Sequence, residues 1–299
     1  MIRGLYTAAA GMIAQQRRHD VVTNNIANLN TPGYKEHRAV SRAFPEMLIH
    51  LVNGEAKPSS RRIGSINSGV MVEEILPIFT QGDLQETGNP ADAALISNLR
   101  VFEMVNGEQV EIVFDQNGRG VNAAGETVYQ PQAFFTVWNQ NDEVRFTRNG
   151  SFYVDADGLL RTTDGFRVLG RDGQPIELGI PLNRVKIAPN GALLDAETGE
   201  PLDGEPALLI SRIEDPFSLV REGNGTFRLE NPEDAQNVQP ADPAEIEIAQ
   251  GFVERSNVNA AQAAVELMSA MRIYEANQKI VQFYDQTLDK TVNEIGRVQ

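Results

Sequence analysis

Arg3 to Tyr34, RGLYTAAAGMIAQQRRHDVVTNNIANLNTPGY, decides how the rest of the chain is read. Steps of three and four from Leu5 fall on Ala8, Met12, Gln15, His19, Val22, Ile26 and Leu29, and six of these eight positions are apolar. That is the spacing of a helical seam. The seam stops on punctuation, since Asn24, Asn25, Asn28 and Asn30 crowd its last turns and Thr31-Pro32-Gly33-Tyr34 follows. Pro32 cannot continue a helix and pushes Thr31 toward extended backbone. Gly33 is free to take a positive φ at a sharp exit. The stretch predicts one amphipathic helix with a built-in end.

Such a helix needs something to cover its apolar stripe. From Ala264 the same spacing marks Leu267, Met271, Tyr274, Gln278, Val281, Asp285, Leu288, Val292 and Ile295, and eight of these ten are apolar. The two ends are expected to pair as a coiled coil. Four Asn within seven residues lower helix propensity; their amides suit a place where neighbouring subunits must be held in register. Glu254-Arg255-Ser256-Asn257-Val258-Asn259 is a similar polar cluster before the second seam, with Ser256 or Asn257 expected as its N-cap.

The middle is different in kind. All 15 prolines lie between Pro32 and Pro243, so both ends are proline-free. Asn149-Gly150, Asp157-Gly158, Asp164-Gly165, Asp172-Gly173, Asn190-Gly191 and Asn224-Gly225 recur at turn spacing. Between them lie strand-sized runs such as Phe146 to Val154, Arg184 to Ile187 and Ala207 to Ile210. The fold expected is a mainly β core, an antiparallel sandwich or barrel-like body, with long terminal helices. The domain reading is an N-terminal assembly segment at 1–52, a linker at 53–69, a β body at 70–243 and a C-terminal assembly helix at 244–299.

The 299 residues carry a net charge of −15, unevenly spread. Residues 1–62 hold nine Lys/Arg against four Asp/Glu, residues 251–299 five against six, and the middle 12 against 31. An acidic body has no basic surface for phosphates, so no nucleic-acid role is expected. No apolar run reaches the roughly 18 to 20 residues needed to span a bilayer, so no membrane insertion is expected. Gln15, Gln16, Arg17 and Arg18 interrupt the first segment where a secretory signal would stay apolar, so it is expected to be retained. The chain has no cysteine, which removes disulfides, zinc thiolates and thiol nucleophiles.

Catalytic patterns are thin. Asp155-Ala156-Asp157-Gly158 has part of a calcium loop, but Tyr153 stands where the first ligand belongs and Leu159-Leu160 continues a strand, so a hairpin turn is expected. Gly118-Arg119-Gly120 opens no helix pattern. His19, His37 and His50 lack metal-ligand spacing, and His19 falls on the seam as a packed or rim residue. Glu73-Glu74 reads as a solvated strand end. No enzyme activity, cofactor or metal is expected.

Four ordered motifs resemble the bacterial flagellar rod and hook proteins. They are the Ala14 to Lys35 run with DVVTNNIANLNTPGYK, TQGDLQETGNPADAAL at Thr80 to Leu95, FTRNGSFYVDADGLL at Phe146 to Leu160, and ERSNVN with RIYEAN at Glu254 to Asn259 and Arg272 to Asn277. Distal-rod members follow the NPADAAL strand almost directly with a Gly-rich Phe-Phe run. Here Leu95 and Phe134 are separated by residues 98–132, which look like an insertion. AFPEML at Ala43 to Leu48 is similar to rod-family members of Gram-positive type.

The resemblance implies an axial structural subunit of the flagellar basal-body rod. Such a subunit leaves the cell through the flagellar type III export apparatus, assembles with itself and other rod and hook subunits, and transmits torque from motor to hook. The assembly interface is expected at Leu5, Met12, Val22, Ile26 and Leu29, with Asn24, Asn25, Asn28, Gly33 and Tyr34 at the exit. From the other end it is expected to take Ser256, Asn257 and Asn259, then Leu267, Met271, Tyr274, Asn277, Val281 and Leu288. The alternative is a surface or cell-wall-contacting binding protein of the flagellum, an adhesin or accessory without an axial role. A wall-cutting enzyme is a third reading, for which no acid/base pair or metal site can be named.

Overall fold

The computed structural model describes residues 2–51, 61–97, 99–105, 108–115, 118–202, 204–223, 225–231 and 238–295. The chain forms two compact units. One contains Met1–Ala27, His37–Leu76 and Asn259–Gln299; the other contains Asn28–Glu36 and Pro77–Val258. Each unit therefore draws on both ends of the sequence.

In the first unit, α1 (Ile2–Ala27) packs against α2 (Ala260–Lys290) and against the first strand of two antiparallel pairs. These are β1 (His37–Ala43) with β4 (Val70–Pro77) and β2 (Met47–Leu51) with β3 (Arg61–Ile66). The second half of the segment read as a linker, residues 61–66, is thus a strand; residues 53–60 lie outside the described residues. The helices run antiparallel. A Cβ on Gly4 would sit 2.2 Å from Tyr284 Oη and one on Gly11 2.9 Å from Asn277 Nδ2, while Arg18 Nη2 lies 3.7 Å from Glu266 Oε2.

Two sequence expectations for α2 need correction. It starts at Ala260, and residues 246–254, grouped with the C-terminal helix, are strands. Its N-cap is Asn259, not Ser256 or Asn257: the Asn259 side chain accepts from Ala261 N at 3.0 Å and Gln262 N at 3.1 Å. The face turned inward keeps half-buried Leu267, Tyr274, Val281 and Leu288 but adds Ala263, Ala270, Asn277 and Tyr284 in place of Ala264, Met271, Gln278 and Asp285. Ala270 is 1% exposed and Met271 47%. Gly4 and Gly11 of α1 leave the room that Tyr284 and Asn277 occupy, an advantage that hydropathy spacing does not register.

The second unit is antiparallel β. Its main sheet is built on β11 (Gln132–Trp138), whose residues are buried on both faces except at Trp138. To one side lie β12 (Val144–Thr147), β20 (Thr226–Leu229) and β19 (Leu219–Arg221). To the other lie β15 (Arg167–Val168), β14 (Leu160–Thr162) and β13 (Phe152–Val154), with β18 (Ile210–Ile213) also pairing β11 and carrying β21 (Val238–Pro240). Alternation along β11 feeds two cores. Ala133, Phe135 and Val137 join Leu160, Leu193 and Leu208 on one face, and Phe134 joins Phe79, Phe146, Ile213 and Phe227 on the other. The polar pair between the strands is satisfied, since Thr136 Oγ1 and Ser211 Oγ lie 2.7 Å apart in full burial.

Smaller pairs complete the unit. β6 (Ala93–Ser97) pairs β22 (Ile246–Gln250), β5 (Leu84–Glu86) pairs β23 (Phe252–Glu254), and β16 (Val185–Ile187) pairs β17 (Leu193–Asp195). The region read as an insertion folds as two hairpins, β7 (Phe102–Val105) with β8 (Glu108–Glu111) and β9 (Arg119–Val121) with β10 (Thr127–Tyr129).

Turn chemistry held at several dipeptides and failed at one. Gly158, Gly165, Gly173 and Gly191 take φ between +76° and +87° in tight turns, and Asp155 Oδ1 accepts from Asp157 N and Leu159 N, so the calcium-like stretch is a turn. Asn224 of the Asn224-Gly225 pair lies outside the described residues. Asn149-Gly150 is not a hairpin, because the strands it links, β12 and β13, do not pair with each other. Gly150 is needed for a different reason. Its carbonyl accepts from Ala93 N at 3.0 Å, and a Cβ there would lie 1.7 Å from Ala93 O. Gly150→Ala is expected to cost about 3 kcal/mol or more, because backbone must move to admit it. Urea unfolding of the full chain measures this, and a change below about 0.5 kcal/mol would contradict the packing described.

Candidate functional site

The second unit holds a junction at which residues from both chain ends meet the β body. Thr31 N and Oγ1 donate to Asn28 O and Oδ1, each at 3.2 Å, and close the turn after the first helix. Gly33 has φ +68°, donates its N–H to Glu254 O at 2.8 Å, and leaves no room for a Cβ, which would sit 2.6 Å from the Arg148 carbonyl carbon. Tyr34 is buried with the Arg221 guanidinium 4.4 Å over its ring. Burial, opposed by Arg221, raises the phenol above its usual range.

Lys35 then enters the body and is 1% exposed. Its Nζ donates to Glu254 Oε1 at 2.5 Å and to Thr80 O at 3.0 Å. Gly82 N donates to the same carboxylate oxygen at 3.0 Å. Arg148 Nη1 lies 3.6 Å from Glu254 Oε2, and its guanidinium donates to Leu95 O, Ser97 Oγ and Gln132 Oε1 while standing 5.4 Å from the Phe134 ring centre. Two cations and one carboxylate are thus sealed together, with side-chain exposures of 1% each.

The charge count sets the electrostatics. Burial and then Arg148 lower the Lys35 ammonium to about 8. Burial also lowers Arg148. Burial opposes ionisation of Glu254, but Arg148, Lys35 and the Gly82 N–H outweigh it and hold the carboxyl below 4.5. Asn257 fastens the same place from outside. Its Nδ2 donates to Ile78 O at 2.8 Å and Thr80 O at 3.1 Å, and its Oδ1 accepts from Glu36 N at 2.6 Å.

The expected interface residues divide accordingly. Gly33, Tyr34 and Asn257 are brought together at the junction. Ser256 is half-buried there and accepts from Val258 N at 3.4 Å. Asn28 closes the turn, Asn24 is exposed, and Leu29 is half-buried. In the first unit, Asn25 is buried and spent inside the chain: its Nδ2 donates to His37 O at 2.8 Å and its Oδ1 accepts from His37 N at 3.0 Å, copying a strand partner for β1. Val22 is buried, and Leu5, Met12 and Ile26 are half-buried. Lys35, Arg148 and Glu254 were not among the expected site residues, although all three lie within or at the edge of the quoted motifs. The available signal was a charged residue within two positions of an aromatic in each of three motifs: Lys35 after Tyr34, Arg148 two after Phe146 and Glu254 two after Phe252.

Charge counting gives an ordered expectation. Glu254→Gln leaves two buried cations unopposed and should cost about 3–5 kcal/mol, while Lys35→Met leaves the balanced Arg148–Glu254 pair and should cost clearly less. Urea midpoints of the two full-length variants decide it, and a larger loss for Lys35→Met would contradict this account of the cluster. The pH dependence has a definite sign. With Lys35 at about 8 folded and 10.5 unfolded, the unfolded chain holds more protons between those values, so stability should rise from about pH 8 toward 10. Lys35→Met should remove that rise. On the acid side, the contribution of Glu254 is present above 4.5 and lost as pH falls through its lower folded value.

Comparison with known proteins meets this geometry at both sides of the junction. Residues 5–35 match the family described as flagella basal body rod protein, and 249–294 match the flagellar basal body rod FlgEFG protein C-terminal family. Residues 128–194 match the flagellar hook protein FlgE/F/G D1 domain. The chain is 34% identical over 300 residues, 100% of both chains, to the flagellar hook-basal body complex protein FlhO of Bacillus subtilis strain 168. It is 28% identical over 302 residues to the flagellar basal-body rod protein FlgG of the same organism, covering 98% of this chain and 99% of that one. To FlgG of Agrobacterium fabrum it is 28% identical over 294 residues, covering 95% and 96%. The chain belongs to the flagellar basal-body rod and hook protein family, structural components of the bacterial flagellum.

Proposed function

We propose that the chain is an axial subunit of the basal-body rod, exported through the flagellar type III apparatus and built into a tube with copies of itself and other rod and hook subunits. Transmission of torque from motor to hook follows from that position. In this reading α1 and α2 pair as a coiled coil, and the assembly element is the first unit, to which 1–27, 37–76 and 259–299 contribute, while the second unit is the β body.

The observation that carries the reading is a second apolar face on α2. Val265, Met268, Ile280 and Phe283 are 61%, 51%, 44% and 66% exposed, on the side away from Ala263, Ala270 and Tyr274. A helix apolar on two faces fits one that is covered on both. One face is covered within the unit, and neighbouring subunits would cover the other. Heterologous contacts of that kind build an open helical filament.

Electron microscopy of hook–basal bodies from cells lacking the gene tests this. Truncated or missing rods, without hooks and filaments, are expected; complete flagella would reject the axial role. A second test uses Met268→Asp with Phe283→Asp. Both positions are exposed, so the urea midpoint of the isolated chain should stay within about 0.5 kcal/mol of wild type while rod assembly in cells is lost. Normal assembly of the variant would count against the outward face.

A further inference from the structure

The two helices of the first unit enclose a groove of about 530 Å³. Ala270, 1% exposed, forms its buried floor. α1 contributes Gln15, His19 and Asp20 to the walls, and α2 contributes Met271 and Glu275. The lining holds the carboxylates of Asp20 and Glu275 and no Lys or Arg. His19 Nδ1 lies 3.7 Å from Asp20 Oδ1. Gln15 Oε1 is buried and accepts no hydrogen bond among the described residues. An oxygen in that position is costly to leave unmet. Asp285 and Asp289, both exposed, follow Gln278 of the lining by seven and eleven residues, so they prolong the acidic side of α2.

α2 carries the opposite charge about 120° round its axis from Gln278. Val265, Arg272, Lys279, Phe283 and Lys290 succeed one another at steps of seven, seven, four and seven, which places them in one stripe. All are exposed. Arg272 and Lys279 have no ion-pair partner among the described residues.

We infer that the groove receives the Arg272–Lys279–Phe283 stripe of α2 from a second copy of this chain. Charge selects this occupant. Groove on groove sets Asp20 and Glu275 against their like, and stripe on stripe does the same for Arg272 and Lys279. Stripe in groove joins carboxylates to cations. The cations also bring donors to Gln15 Oε1, and Met271, 47% exposed, offers Phe283 an apolar wall. Groove and stripe are different patches of one helix pair, so each copy both receives and is received. Such a contact runs on as an open series instead of closing as a dimer. The inference rests on the axial reading and names the surfaces through which like subunits meet.

Exchange of charge between two chains tests it. One full-length variant carries Arg272→Glu with Lys279→Glu, which makes stripe and groove both acidic. Another carries Asp20→Lys with Glu275→Lys, which makes both basic. Each is produced in cells lacking the wild-type copy, alone and together, and the chain is quantified in purified hook–basal bodies. All four positions are exposed, so the urea midpoint of each isolated variant is expected to match wild type. A variant whose midpoint shifts is replaced by its single change, Lys279→Glu or Glu275→Lys, and read the same way. Alone, each variant should fall about tenfold or more below wild type in the particles. Together, both should return, because each stripe then meets a groove of opposite sign. Glu275 and Lys279 also stand four apart on one helix, but pairing within a chain cannot let one variant restore another. Assembly of either variant alone at the wild-type level would overturn the inference, as would two folded variants that stay absent when produced together. Wild-type chain missing from otherwise complete particles would overturn the axial reading as well.

Discussion

The Lys35–Glu254 ion pair, sealed beside Arg148, is the constraint on which the second unit depends. Its two partners are separated by 219 positions and arrive from opposite ends of the sequence. A buried ion pair adds little net stability over a well-packed apolar substitute, but removing one partner is costly. Its value is therefore in specification. The chain can satisfy this carboxylate only when the segment after α1 and the segment before α2 are both in place, and Gly33 N–H to Glu254 O ties the same two segments through backbone. Formation of the β body and placement of the chain ends become one event.

The β body supplies the rigid wall against which this happens. β11 is buried on both faces, and its alternate residues serve two separate cores. Phe134 packs among Phe79, Phe146 and Phe227 on one side and carries the Arg148 guanidinium above its ring. A cation that would otherwise be expensive to bury is held by three hydrogen bonds, an aromatic face and a carboxylate. Gly82 and Gly150 admit backbone so closely that Cβ atoms there would collide with the Arg255 and Ala93 carbonyl oxygens at 1.9 and 1.7 Å. Close backbone approach, not turn conformation, accounts for both glycines.

Much of this was legible in the chain itself. Proline-free ends with helical spacing became α1 and α2, although α1 stops at Ala27, ahead of Leu29 and Pro32, and Asp-Gly and Asn-Gly pairs marked most tight turns. What escaped depended on partners distant in sequence. Ala270 rather than Met271 faces inward, and hydropathy spacing weighs methionine above alanine. Asn25 completes β1 within the chain, a pairing not foreseen, since an amide can copy a backbone pairing wherever the fold brings a strand end to it. Lys35, Arg148 and Glu254 look individually like surface charges; only the topology that joins positions 35, 148 and 254 makes them a buried cluster.

The central claim is that the junction closes only when the whole second unit folds. Native-state hydrogen exchange at Gly33 and Gly82 measures this, because both amides donate to Glu254. Both should exchange only through global opening, with the same free energy and denaturant dependence as Val137 and Leu193 in the core. Exchange of Gly33 or Gly82 through local opening, several kcal/mol below the core amides and insensitive to denaturant, would show that the chain ends are attached to a β body that stands without them.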